Sequence, residues 1–101
     1  MVSHFLVTLT GSAQALGASI DAGVVKGLAI QADPGNSHVV YVGGANVAVS
    51  STNYGILIPI PVTSIPAAPT LLQFDSGFFS LNQIYVIGTN TEKLRILVIT
   101  P

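Results

Sequence analysis

The chain has 101 residues, half of them hydrophobic, and only four acidic and three basic side chains. Three basic residues are too few to neutralise a series of phosphates, which argues against nucleic-acid binding, and the absence of cysteine excludes disulfides and thiolate chemistry. Because ordinary soluble domains are about one quarter charged, this sparse charge favours a surface that contacts other protein. The length fits one domain, residues 1–101.

The first predicted element is a strand over residues 3–10. Phe5, Val7 and Leu9 alternate with the polar residues His4 and Thr8, a period of two that is typical of a strand with one buried face. The stretch lacks the basic region and the continuous apolar segment of a secretory signal. No part of the chain approaches the roughly 20 apolar residues of a membrane helix. We therefore expect neither a signal peptide nor a membrane partner.

A helix is expected only within residues 12–23, where alanine and leucine are frequent. Glycines at positions 11, 17 and 23 divide this segment, so at most one helical turn is predicted. Further strands are predicted over 25–32, 39–43, 84–88 and 94–99, because these segments are rich in β-branched and aromatic residues and are bounded by turn residues.

The clearest predicted turn is the Asp-Pro-Gly-Asn run at 33–36, in which proline fixes the first φ angle and glycine permits a positive φ after it. Other turns are predicted at 43–46, 75–77 and 89–92. Five of the seven charges fall in predicted turns or loops, which leaves only Lys26 and Arg95 inside strands. Seven or eight short strands in a chain of this length predict an all-β fold, an antiparallel β-sandwich or jelly roll.

A proline-rich segment at about 55–70 interrupts this pattern. Pro59, Pro61, Pro66 and Pro69 lie within an otherwise apolar run, and proline confines a strand to a sheet edge or an extended loop because it cannot donate a ladder hydrogen bond. The segment is therefore either an edge strand with a rigid loop across the core or an apolar arm presented to a neighbouring subunit. A rigid arm would lose little entropy on docking.

The last predicted strand is apolar on both faces. One face carries Leu94, Ile96 and Val98, and the other carries Leu97 and Ile99. Such a strand lies either between two layers of the fold or at a contact between subunits.

Residues suited to catalysis or metal binding are sparse. The two histidines, His4 and His38, lie at polar or turn positions, and neither has a second ligand at the spacing of a metal site. The acidic residues fall in predicted loops, where aspartate stabilises turns with its own side chain. We therefore expect no enzymatic activity, no metal and no cofactor.

Several segments together resemble small virion proteins of tailed bacteriophages. In that group a leading Val-Thr-Leu strand is followed by Lys-Gly-(apolar)-x-Ile-x-Ala, an Asn-containing turn and Tyr-Val-Gly-Gly. The corresponding segments here are residues 26–36, 40–44, the Gly-containing segment with Ile56 and Pro59, 82–88 and 94–97. The resemblance covers most of the chain between residues 5 and 98. Its motifs are structural, so it implies a fold and a virion context and marks no active site.

The resemblance implies a capsid decoration, or cement, protein that stabilises the phage head by binding between capsomers. Such a protein is made in the host cytoplasm and occupies the capsid surface of the virion as a homo-oligomer, with a trimer favoured. Its partner is the major capsid protein. The candidate contacts are Tyr54, Ile58, Ile60, Val62, Ile65, Phe78 and Phe79. For Phe78 and Phe79, ordinary core packing is the alternative.

Two other functions remain open. A neck, tail or baseplate component of the virion would share the fold and the composition but would assemble with a different rotational symmetry. A glycan-binding module for host attachment would need exposed aromatic side chains around a groove, and three tyrosines without tryptophan make that function less favoured.

Overall fold

The computed structural model describes residues 1–20, 24–48, 55–59, 70–73 and 79–101. These residues contain ten strands, one turn of α-helix, α1 (Leu16–Ser19), and one 3₁₀ turn (Leu81–Gln83). The strands are β1 (Val2–Thr8), β2 (Gln14–Ala15), β3 (Val24–Val25), β4 (Gly27–Ala32), β5 (Val40–Gly43), β6 (Ile56–Ile58), β7 (Thr70–Gln73), β8 (Phe79–Ser80), β9 (Tyr85–Ile87) and β10 (Lys93–Ile99).

The strands form three antiparallel sheets. Sheet A has the order β1-β10-β4-β7, sheet B has the order β2-β9-β5-β6, and β3 pairs with β8 alone. The predicted all-β class is confirmed, whereas the sandwich or jelly-roll arrangement stays a prediction. The described strands outnumber the seven or eight expected because β2, β3 and β8 have only two residues each, too few to produce a period of two. No helix among the described residues is long and apolar enough to cross a membrane.

Sheet A is organised around β10, which lies between β1 and β4. The register places Ile96 of β10 beside Phe5 of β1 and Ile30 of β4, so that apolar residues on three strands are neighbours. Ile96 is 1% exposed, whereas the next residue, Leu97, is 41% exposed. One face of the last strand therefore lies in the core and the other face is open in the described chain.

One hydrophobic core takes side chains from both four-stranded sheets and from the segments around α1 and the 3₁₀ turn. Sheet A contributes Val7, Leu28, Ile30, Ala32, Leu94, Ile96 and Val98. Sheet B contributes Val40, Val42, Ile58 and Val86, and the remaining members are Leu9, Leu16, Ile20, Val25 and Leu81. Because each fully buried aliphatic side chain contributes about 1.5–3 kcal/mol, this cluster dominates the stability of the fold.

The single helical turn expected within residues 12–23 is confirmed as α1. The amide of Ile20 donates to the carbonyl of Leu16 at 2.9 Å and closes the turn. Gly17 lies against the 3₁₀ turn, and a Cβ atom at this position would collide with the side chain of Asn82. Glycine at this position therefore permits the close approach of the two turns.

The turn at 33–36 is confirmed, although its mechanism differs from the expectation. The amide of Asn36 donates to the carbonyl of Asp33 at 2.9 Å, and the amide of Gly35 donates to Asp33 Oδ2 at 3.1 Å. Gly35 is not among the described residues with a positive φ. The aspartate side chain and the proline define this turn, so the freedom of glycine is not needed.

The predicted turn at 89–92 is also present, and the turn predicted at 43–46 lies one residue later, at 44–47. Each is closed by a backbone hydrogen bond, from Val47 to Gly44 at 3.0 Å and from Glu92 to Thr89 at 3.1 Å. The turn predicted at 75–77 lies outside the described residues.

Two basic residues are placed differently from the expectation. Lys26 lies in the bend between β3 and β4 and is exposed, so it is not inside a strand. Lys93, which is predicted to lie in a turn or loop, begins β10, because it pairs with Thr8 at the end of β1 and extends the ladder by one residue.

Part of the proline-rich segment is described. Residues Ile56–Ile58 form β6, an edge strand that pairs only with β5 among the described strands. Pro59 follows directly, as expected for a residue that cannot donate a ladder hydrogen bond. Residues 60–69 lie outside the described part, so for them the choice between a loop and an intersubunit arm stays a prediction.

Candidate functional site

Only two of the predicted contact residues belong to the described part of the chain. Ile58 is 1% exposed and pairs with Val40 in the core, so its side chain is not available to a partner. The other two residues of β6, Ile56 and Leu57, are each about half exposed. Phe79 is half-buried and packs against the core, in agreement with the alternative of ordinary packing.

The other predicted contacts lie outside the described residues and stay predictions. They are Tyr54, Ile60, Val62, Ile65 and Phe78.

The outer face of sheet A, defined as the sides of β1, β10 and β4 that point away from the core, exposes large apolar side chains. Val2 and Leu6 of β1 are 63% and 57% exposed, and Leu97 of β10 is 41% exposed. The register places His4 opposite Leu97 and Leu6 opposite Arg95. These cross-strand neighbours form an apolar patch interrupted by a few polar groups.

A shallow groove of about 500 Å³ lies on this face. It is lined by residues from β1, β4 and β10, among them Leu6, Ala29, Gln31, Arg95 and Leu97. Its lining is largely apolar, and Arg95 contributes a cationic side chain to it. This combination suits a partner side chain or segment that is apolar and carries a hydrogen-bond acceptor.

The charges of the outer face are concentrated at one end of β10. Arg95 Nε donates to Asp33 Oδ1 at 2.9 Å, and the Arg95 side chain remains 58% exposed whereas that of Asp33 is 19% exposed. The hydrogen bond from Arg95 lowers the pKa of Asp33, and it outweighs burial, with help from the Gly35 amide and the charge of Lys93. Asp33 is therefore ionised at neutral pH, and both of its oxygens accept a hydrogen bond within the chain.

The sequence indicates this face through two apolar residues that are not among the predicted contacts. Leu6 lies at an even position of β1, on the side that otherwise carries His4 and Thr8, and Leu97 lies on the second apolar side of the last strand. A large apolar residue on the polar side of an alternating strand indicates either a second buried layer or an exposed contact. The structure shows that both residues are exposed.

A polar cluster of Ser37, His38 and Glu92 lies apart from the apolar patch. Glu92 Oε1 accepts hydrogen bonds from His38 Nδ1 at 2.8 Å, from the Ser37 amide at 3.0 Å and from the Ser37 hydroxyl at 3.2 Å. Because a carboxylate only accepts hydrogen bonds, we assign a proton to His38 Nδ1. The cluster ties the loop after β4 to the start of β10.

This cluster does not have the geometry of a catalytic relay. In a Ser-His-acid triad the serine and the carboxylate contact opposite nitrogens of the imidazole, so that the ring can pass a proton between them. Here Ser37 Oγ, at 3.2 Å, and Glu92 Oε1, at 2.8 Å, both contact Nδ1 of His38. The geometry fits a structural clip.

The buried side chain of Asn36 reinforces the clip. Its Nδ2 atom donates to the Lys93 carbonyl at 2.7 Å, and its Oδ1 atom accepts from the Lys93 amide at 2.8 Å. The asparagine thus pairs with the backbone of β10 as a neighbouring strand would. Within the described part of the chain, no buried side-chain nitrogen or oxygen lacks a hydrogen-bond partner.

Burial raises the pKa of Glu92, but the hydrogen bonds from His38 and Ser37 lower it by more, so that the pKa lies below its ordinary value of 4.5. A carboxyl group with a depressed folded-state pKa stabilises the fold at pH values above the unfolded pKa, and this stabilisation is lost as the pH falls through the folded pKa. The clip is therefore a source of acid sensitivity.

The substitution Glu92→Gln is expected to destabilise the protein near neutral pH by about 1–3 kcal/mol, the typical cost of hydrogen bonds lost from a charged group. Below about pH 4.5 the free energies of unfolding of the two proteins should converge, because the unchanged protein also loses the carboxylate. Urea unfolding at several pH values between 7 and 3 measures this difference. Parallel pH profiles for the two proteins would contradict the role given to Glu92.

No group of three or more histidine, aspartate or glutamate side chains suited to a metal ion occurs among the described residues. Comparisons with protein-family models, with curated proteins and with solved structures found no match for this chain.

Proposed function

We propose that this chain is a capsid decoration protein of a tailed bacteriophage, which stabilises the phage head by binding the major capsid protein on the capsid surface as a symmetric oligomer. The virion context rests on the sequence resemblance. The structural support for binding to another protein is the outer face of sheet A, where Val2, Leu6 and Leu97 expose large apolar side chains.

The energetics of such a face favour association with protein. Removing apolar surface from water contributes about 25 cal/mol per Å², and a standard protein interface buries about 800 Å² on each partner. Part of that gain offsets the association cost of roughly 4–15 kcal/mol. Copies that bind a symmetric shell together gain further from multivalency, so even a modest patch on each copy supports stable attachment.

The polar groups of the described chain also support a structural role. Ser37 and His38 hold a loop against the start of β10 through their hydrogen bonds to Glu92 Oε1, and Arg95 is paired with Asp33. Each of these groups stabilises local structure, and neither set is arranged as a nucleophile activated by a base.

Phage heads assembled without this protein provide the test. We expect the purified protein to cosediment with these heads at a saturating ratio and to raise the temperature at which they release DNA. Averaging of particle images with symmetry should locate the added density on the capsid surface. Binding confined to neck, tail or baseplate fractions would favour a station elsewhere in the virion, and absence from all particle fractions would reject a virion role.

A further inference from the structure

We propose that the outer face of sheet A is the surface that docks on the capsid protein, and that the partner presents an apolar surface bearing carboxylate groups. This inference rests on the proposed function. It adds which face of the chain binds and which chemistry the face recognises.

The apolar part of the argument comes from the distribution of exposed side chains. Leu6 and Leu97 lie on adjacent strands, beside a groove of about 500 Å³ that crosses β1, β10 and β4. A partner that covers this area removes both leucines and the groove lining from water at once. A contiguous apolar surface of this kind is typical of a protein contact site.

The charged side chains on the same face restrict which apolar surface can bind there. Lys93 and Arg95 both lie on the outer side of β10, and Asp33 is the acidic residue that the structure places beside them. Asp33 neutralises one of the two cations, so the described part of this face has an excess of one positive charge. A cation at the border of a dry contact is costly unless a partner supplies a counter-charge.

A second copy of the chain docked face to face does not meet this requirement. A two-fold contact brings identical surfaces together, so each copy would add its own excess of positive charge to the contact, and this excess would be doubled rather than neutralised. The Asp33 carboxylate cannot compensate, because its oxygens already accept from Arg95 and from the Gly35 amide and its side chain is only 19% exposed. The occupant is therefore a different surface, one that brings its own carboxylates.

The apolar component is tested with phage heads assembled without this protein as the binding probe. The double variant Leu6→Thr/Leu97→Thr should bind the heads at least tenfold more weakly than the unchanged protein. The matched control is Ile56→Thr/Leu57→Thr on sheet B, where both residues are about half exposed, at 49% and 48%. Threonine preserves strand propensity, and urea unfolding verifies that both double variants are folded.

The charge component is tested by Lys93→Glu, with Lys26→Glu as the control, because both lysines are exposed and the change in net charge is identical. We expect Lys93→Glu to weaken binding at least tenfold at low salt and to reduce the salt dependence of binding, and Lys26→Glu to change affinity less than threefold. Equal effects of the two substitutions would overturn the carboxylate assignment, since they would reflect net charge alone.

The outcomes separate the inference from the proposed function. If the unchanged protein does not bind heads, both fail. If it binds and the sheet A double variant binds equally well, only the assignment of the face fails. The face could instead bind a second copy of the chain, and analytical ultracentrifugation of the protein alone tests this. If the protein self-associates and Leu6→Thr/Leu97→Thr abolishes the self-association, the face binds a second copy and the proposed partner is wrong.

Discussion

Replacement of Ile96 by alanine is expected to destabilise the protein by about 3 kcal/mol, within the range of roughly 2–5 kcal/mol measured when large aliphatic core residues are truncated. Ile96 is 1% exposed and lies on the central strand of sheet A, between Phe5 and Ile30. Three strands meet around its side chain, so the surrounding structure has little freedom to collapse into the cavity. The loss of stability is measured as a lower urea midpoint of unfolding, with an unchanged dependence of the unfolding free energy on urea concentration.

The control for this substitution is the next residue. Leu97 is 41% exposed on the opposite side of the same strand, so Leu97→Ala removes a similar volume without opening a cavity in the core. Its cost should stay below about 1 kcal/mol. Equal losses for Ile96→Ala and Leu97→Ala would show that the outer face of sheet A is buried in the folded protein, contrary to the structure.

The second large effect is expected at Gly55, the residue before β6. Gly55 has a φ of +70°, and a Cβ atom there would collide with the carbonyl oxygen of Val42. A left-handed conformation costs a non-glycine residue about 1–2 kcal/mol, and the collision with a backbone atom of β5 adds to this cost because the ladder holds that atom in place. We expect Gly55→Ala to lower the free energy of unfolding by about 2–4 kcal/mol.

Gly44 is the matched control for Gly55. It lies in an exposed turn, is not among the described glycines with a positive φ, and would place a Cβ atom no closer than 3.8 Å to the Asn46 side chain. Gly44→Ala should therefore change stability by less than about 0.5 kcal/mol. Thermal unfolding of the two variants compares them directly, and a cost at Gly55 no larger than that at Gly44 would refute the steric argument.

The sequence predicted those elements whose pattern is local. The alternation of Phe5, Val7 and Leu9 was sufficient to place β1, and the Asp-Pro-Gly-Asn run was sufficient to place the turn after β4. The single helical turn expected within residues 12–23 also formed. In each case a few neighbouring residues determine the conformation, so no knowledge of distant contacts was needed.

The sequence was least informative where the orientation of a side chain depends on residues far away in the chain. The three residues of β6 are all apolar, and no alternation shows which of them faces the core. In the structure Ile58 pairs with Val40 and is buried, whereas Ile56 and Leu57 are both about half exposed. In the same way, nothing near Glu92 in the sequence indicates its contact with Ser37 and His38, which lie more than fifty positions away.

The candidate site was only partly accessible to sequence reasoning. Low charge indicated a surface for protein contact, but it did not indicate which face. The apolar side chains of β1 and β10 were visible in the sequence, yet two apolar faces are compatible with a strand buried on both sides as well as with one exposed to a partner. Deciding between them required the packing of the other strands, which fills one side of sheet A and leaves Leu97 open.

The position of β10 also has a consequence for folding kinetics. It is the last strand of the described chain, yet it lies between β1 and β4 in sheet A, so that Val2 pairs with Ile99 across nearly the whole sequence. Folds dominated by such non-local pairing form slowly, on the order of milliseconds to seconds, because a long loop must close before its contacts stabilise it. On the ribosome, β1 and β4 have no partner between them until β10 has emerged. Sheet A therefore cannot be completed before β10 has emerged, and until then the unpaired edges of β1 and β4 expose the chain to aggregation.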